Sequence, residues 1–111
     1  MEWRDVKGYE GKYLISDTGL VKSTLRNGRI LKAETSSGVN KVTLYNKGKR
    51  ETFLIYRLMV ESFYEDLPPY YRVLHIDGNN MNDNLENLEV IRIWWLFLFT
   101  FFWLWHIMYY K

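Results

Sequence analysis

A chain of 111 residues has room for one domain or two very small modules. It contains no cysteine, which excludes disulfides and thiolate zinc sites and fits a reducing compartment. The net charge of +2 conceals an asymmetry: residues 22–57 carry nine Lys and Arg against Glu34 and Glu51, net +7, whereas residues 58–91 carry Arg72 against seven acids, net −6. A basic block followed by an acidic one suits a polyanion-binding surface joined to a cation-binding site, and it also suits a plain solvated surface of mixed charge.

The N-terminus, "MEWRDVKGYEGKY", is charged early and has no apolar run, so it does not read as a secretory signal. The first half reads as short strands. "YLIS" (13–16) and "LVKST" (20–24) flank a turn at Asp17-Thr18-Gly19. "LRNGRIL" (25–31) holds Asn27-Gly28, a strong two-residue hairpin signal. "KVTLY" (41–45) and "ETFLI" (51–55) flank "NKGKR", a second hairpin in which Gly48 can take positive φ. Lys and Arg cluster on these turns, where they can reach phosphates along a duplex or keep sheet edges soluble.

A helix is expected next. Ile55, Leu58, Met59, Ser62 and Phe63 repeat at helical spacing, and Pro68-Pro69 is expected to stop it. "YYRVLHI" (70–76) reads as a strand, and Asp77-Gly78 as a turn. An asparagine-rich loop with one helical turn follows, and "LEVI" (88–91) returns as the partner strand. The stretch "VLHIDGNNMNDNLENLEV" (73–90) holds five asparagines around a lone histidine. An irregular loop beside a charged site needs its backbone groups satisfied locally, which asparagine does well.

At Arg92 the composition breaks. Residues 93–110, "IWWLFLFTFFWLWHIMYY", have no polar face, with only Thr100 and His106 neither apolar nor aromatic. The length just suffices to span a bilayer, and nine Ile, Leu and Phe contribute about −4 kcal/mol towards insertion. Membrane association through residues 93–110 is therefore one expectation. A shift of reading frame near the end of the preceding module is the other origin that fits the abrupt change.

Two stretches together carry a family resemblance. "EWRDVKGYEGKYLISDTGLVKS" (2–23) has an early Trp3, then Tyr9-Glu10-Gly11, Tyr13, Ile15-Ser16, and Gly19, Val21 and Ser23. It resembles a nuclease-associated modular domain, NUMOD type four. "YRLMVESF" followed by "VLHIDGNNMNDNLENLEV" resembles the HNH endonuclease module of phage and intron homing enzymes. The resemblance divides the chain into a modular region (1–50), an HNH module (51–91) and a hydrophobic tail (92–111).

What the resemblance implies is an α+β fold. Small antiparallel hairpins and one amphipathic helix would lead into a ββα-metal (His-Me) finger, and the tail would stand as an aberrant hydrophobic helix in place of the usual last one. It further implies a DNA endonuclease in which His75 is the general base and a divalent cation, usually magnesium, sits on the scissile phosphate. Asn87 matches the asparagine that orients the loop and holds the histidine, and Asp77 matches at most a weak metal ligand. Arg26, Arg29, Lys32, Lys41, Lys47, Lys49, Arg50 and Arg57 are the expected contacts to double-stranded DNA. The expected setting is the cytoplasm of a bacterium or phage-infected host.

The chain makes three departures from the family pattern. Leu74 stands where many members have Asp or Asn, Tyr56-Arg57 stands for a His-Arg pair, and Trp94, Trp95, Leu96 and Phe97 stand where a polar helix would carry the last ligand. None of these residues supplies the oxygen ligands magnesium requires. A non-catalytic DNA-binding remnant, or a membrane-tethered protein with a polyanion-binding soluble part, are the alternatives to a cutting enzyme.

Overall fold

The structure is a computed structural model that describes residues 1–93; the hydrophobic tail from 94 onward lies outside the described residues. Three small antiparallel sheets and one helix make up the described part. The first sheet joins β1 (Trp3–Asp5), β2 (Tyr13–Ser16) and β3 (Val21–Ser23) in chain order. The second joins β4 (Glu34–Ser36), β5 (Val39–Asn46) and β6 (Lys49–Leu54). Helix α1 (Ile55–Phe63) follows β6 without an intervening loop, and β7 (Tyr71–His75) pairs with β8 (Leu88–Arg92) to form the last sheet. The α+β reading and the return of the second strand at residue 88 agree with this architecture.

Turn chemistry sets much of the register. Lys47 and Gly48, both at positive φ, close the β5–β6 hairpin so that Asn46 faces Lys49. Asn27 and Gly28 also take positive φ, as their signal requires, but they do not close a two-residue hairpin. They sit in a single 3-10 turn, and the chain returns to β3 only through one bridge between Lys22 and Ile30. Residues 25–31 are thus a loop rather than a pair of strands. β1 and β4 were not expected from the pattern. β4 has no buried residue, so no alternation marks it; Ser37 and Gly38 at positive φ form its turn into β5.

The expected helix face is real. Ile55, Leu58, Met59 and Phe63 are buried, each worth about 1.5–3 kcal/mol of apolar burial. Val60 is buried as well, on the flank of that stripe. Ser62 has a different role: its hydroxyl accepts the backbone N–H of Lys7 at 3.2 Å, tying the helix to the loop after β1. The helix ends at Phe63, five residues before Pro68, and the Tyr64 N–H closes the last turn on the Val60 carbonyl.

A single core cluster unites the N-terminal sheets with the histidine-bearing hairpin. Val6, Ile15, Val21, Val42 and Leu44 pack with the helix face and with Leu88 of β8. Within β7 the side chains alternate: Tyr71, Val73 and His75 turn inward, while Arg72 and Leu74 turn outward. No helix among the described residues is long and apolar enough to cross a membrane.

Candidate active site

His75 ends β7, opposite Leu88 of β8, at the mouth of the loop that joins the two strands. Its position on the inward face follows from the strand period: Val73 two residues earlier is on the same side. The residue is only 7% exposed. Its Nε2 lies 2.9 Å from Oδ1 of Asp83, itself 5% exposed. The Tyr56 ring meets the imidazole edge to face, with centroids 5.1 Å apart. An open strand histidine is therefore not what the fold presents; the ring is enclosed, paired and braced.

Asp83 is the residue that sequence reasoning missed. In the sequence it is one acid among seven in an acidic block. In the fold it is a junction. Its Oδ2 accepts from the Asn40 side-chain amide at 3.1 Å, and the same Asn40 nitrogen donates to the Met81 carbonyl at 3.0 Å. Asn40 belongs to β5, so the contact spans 43 positions of chain. Gly19 lies beneath: a β-carbon there would stand 3.3 Å from the Asp83 Cβ. The Leu85 N–H also donates to the Asp17 carbonyl, at 2.8 Å. The turn between β2 and β3 thus supports the loop that carries Asp83.

The rest of the loop is organised around Asp77 and Asn87. The Asn87 carbonyl oxygen of the side chain accepts the Asp77 backbone N–H at 3.0 Å. Its amide nitrogen donates to Asp77 Oδ1 and to the Asn82 carbonyl, each at 2.9 Å. Asp77 Oδ1 also accepts the Asn79 N–H at 2.8 Å, and Oδ2 accepts the Asn82 side-chain amide at 2.8 Å. The Asn82 amide, the Asn79 backbone N–H and the Asn87 amide, in that order, hold the Asp77 carboxyl below its ordinary value of 3.8. Asparagine abundance in this stretch is therefore local satisfaction of an irregular loop, and Asn87 spans it as a brace.

The expected metal-ligand chemistry meets a different geometry. Both Asp77 oxygens accept hydrogen bonds within the loop, and Leu74 is 46% exposed on the opposite face of β7 from His75. Among the described residues no three His, Cys, Asp or Glu side chains gather as a cation site. Among the described residues, then, no side-chain cluster marks a position for magnesium, an ion that keeps several waters and takes one or two protein carboxylates.

The candidate DNA contacts fall into groups. Lys47, Lys49 and Arg50 crowd the exposed tip of the β5–β6 hairpin. Arg29 and Lys32 line a recess of about 620 Å³ beside Tyr13 and Tyr45. Arg26 lies in the 3-10 turn that leads to that recess, and Lys41 is half-buried in β5 opposite Leu54. Arg57 stands apart in the first turn of α1, beside Glu61.

A small histidine hairpin, an asparagine-braced loop and N-terminal strands supporting it agree with the class the sequence resembles, the HNH nucleases with an N-terminal modular motif. Residues 1–45 match the NUMOD4 motif. The chain is 40% identical over 90 residues to "DNA endonuclease I-HmuI" of Bacillus phage SP01, covering 80% of this chain and 51% of that protein. It is 37% identical over 83 residues to "H-N-H endonuclease F-TflII" of Escherichia phage T5, covering 72% of this chain and 42% of that one. A solved structure, "DNA binding and cleavage by the HNH homing endonuclease I-HmuI", superposes with a TM-score of 0.75 at 39% identity, over 82% of this chain and 52% of that one. The chain thus carries a NUMOD4 motif and is homologous to HNH homing endonucleases. It spans about half the length of the relatives it matches, or less.

Proposed function

We propose that this chain is an HNH-type endonuclease unit that binds double-stranded DNA and hydrolyses a phosphodiester bond, with His75 as the general base. Water's oxygen adds to phosphorus as the imidazole takes a water proton. The bond from phosphorus to a deoxyribose oxygen then breaks, and solvent protonates the leaving oxygen. The likeness to the I-HmuI structure carries the reading: the shared fold includes most of this chain at 39% identity. Asn87 and Asp77 hold the loop that positions the histidine. The hairpin-tip cations Lys47, Lys49 and Arg50, with Arg26, Arg29, Lys32, Lys41 and Arg57, meet phosphates. HNH endonucleases generally use a divalent metal, and magnesium is the ion this reading calls for. The work is done wherever phage or bacterial DNA is open to the protein, which places it in the cytoplasm of the host.

A second reading is favoured by one specific observation. The Leu74 side chain offers no oxygen, and no group of three His, Cys, Asp or Glu side chains forms among the described residues. A chain that binds duplex DNA without cutting it fits that. Strand scission of supercoiled plasmid by the purified protein, with magnesium and with chelator, separates the two. Magnesium-dependent nicking that disappears in His75→Ala supports the first. Duplex binding indifferent to metal, with no nicking at any protein concentration, supports the second.

A further inference from the structure

We infer that Asp83, with Asn40 behind it, sets the tautomer of His75: the proton sits on Nε2, and Nδ1 is left as the nitrogen that accepts a proton from water. Resting on the general-base reading above, this adds two positioning residues to the site, one of them supplied by the N-terminal strands.

An ionised carboxylate can only accept hydrogen bonds. The imidazole nitrogen that faces Asp83 at 2.9 Å must therefore carry hydrogen. Asn40 enforces this arrangement from the other side. Its amide nitrogen points at Asp83 Oδ2 and at the Met81 carbonyl, so both Asp83 oxygens face donors. The carboxyl cannot slide away from the ring, because Gly19 lies against its β-carbon and the Asp17 carbonyl ties down Leu85 two residues on. Tyr56, edge to face on the imidazole, restrains rotation of the ring. Nδ1, by contrast, makes no hydrogen bond among the described residues. One nitrogen is committed and the other is not, which is what a base of defined tautomer requires.

The tautomer can be read directly. The chain has two histidines, so His106→Gln leaves His75 as the single imidazole signal in ¹⁵N-histidine-labelled full-length protein. Long-range ¹H–¹⁵N correlation of the neutral ring is expected to show Nε2 protonated and Nδ1 bare. Asp83→Asn gives the sharper test. Asn40 still demands an oxygen, so the new amide turns its nitrogen towards His75. Nε2 must then accept, and the ring proton moves to Nδ1. Cleavage by Asp83→Asn is expected to fall in kcat, by up to about 10⁴-fold, with KM for duplex DNA unchanged. Adding Asn40→Ala to Asp83→Asn frees the amide to turn back and restores part of the Nε2–H form.

Protonation at Nδ1 in the parent protein overturns the inference, as does a tautomer that does not change in folded Asp83→Asn. If Asp83→Asn does not fold, the parent tautomer alone decides. Because the spectrum does not depend on cutting, a failure of His75-dependent cleavage sinks the nuclease reading and is distinguishable from a failure of this one.

Discussion

The backbone N–H of Leu85 donates to the carbonyl of Asp17 at 2.8 Å, joining main chain to main chain across 68 positions of sequence. This bond, with the Asn40–Asp83 contact, means that the loop after His75 is not a free-standing finger. Its inner wall is built from the NUMOD4-matched strands. The N-terminal region therefore supports the loop that carries Asp83.

Gly19 and Gly48 make a controlled comparison. Both have positive φ, +91° and +79°, so alanine at either costs about 1–2 kcal/mol in backbone strain. Nothing lies within 4 Å of a β-carbon at Gly48, whereas at Gly19 the new carbon meets Asp83 at 3.3 Å. Urea melts should show a loss of stability for both variants, the larger for Gly19→Ala, where a close contact adds to the backbone strain. Only Gly19→Ala should also move the His75 ring resonances, because only there does the added methyl press on the partner of the imidazole.

Asn87→Ala removes an acceptor for the Asp77 N–H and two donations from the amide. At roughly 0.5–1.5 kcal/mol net per bond, the expected loss is about 1.5–4.5 kcal/mol. Equilibrium unfolding checks the magnitude. Amide exchange should locate the change at residues 77–87, with the α1 core protected as before.

The Asp77 carboxyl is held below its ordinary value by the Asn82 amide first, then by the Asn79 N–H and the Asn87 amide. A depressed folded-state value means that the ionised form stabilises the loop. That contribution is complete above the unfolded value of 3.8 and disappears as pH falls through the lower folded value. Carboxyl ¹³C titration should place Asp77 below 3.8 in the parent protein and return it towards 3.8 in Asn82→Ala. A value at or above 3.8 in the parent contradicts the loop geometry.

Lys47, Lys49 and Arg50 share one exposed hairpin tip. Each phosphate contact contributes about 0.9 to the slope of log affinity against log salt. Replacing all three by alanine should lower duplex affinity and reduce that slope by up to about 2.7. The loss should be equal across DNA sequences, since phosphate contacts carry no base information.

What the sequence made legible is what depends on neighbours in the chain. The α1 face follows from spacing, the Lys47-Gly48 turn from one flexible position, and the asparagine abundance of residues 79–87 from the needs of an irregular loop. Asn27-Gly28 shows the limit: both residues take the expected φ, yet the strands that would make a hairpin do not form around them, because the return partner is β3. β1 and β4 escaped notice because three-residue strands with little or no burial have no period to detect. Asp83 and Asn40 were illegible for a different reason. Their meaning lies in a contact between residues 43 apart, and either alone reads as a surface polar group.

The central claim is that His75 takes the proton from the attacking water. Single-turnover cleavage of duplex DNA in magnesium, comparing the parent protein with folded His75→Ala, tests it most directly. The account predicts a fall on the order of 10²- to 10⁴-fold in the variant, at unchanged DNA affinity, with part of the rate returned by added imidazole. Equal rates in the two proteins, or no cleavage by the parent at any magnesium concentration, would contradict it.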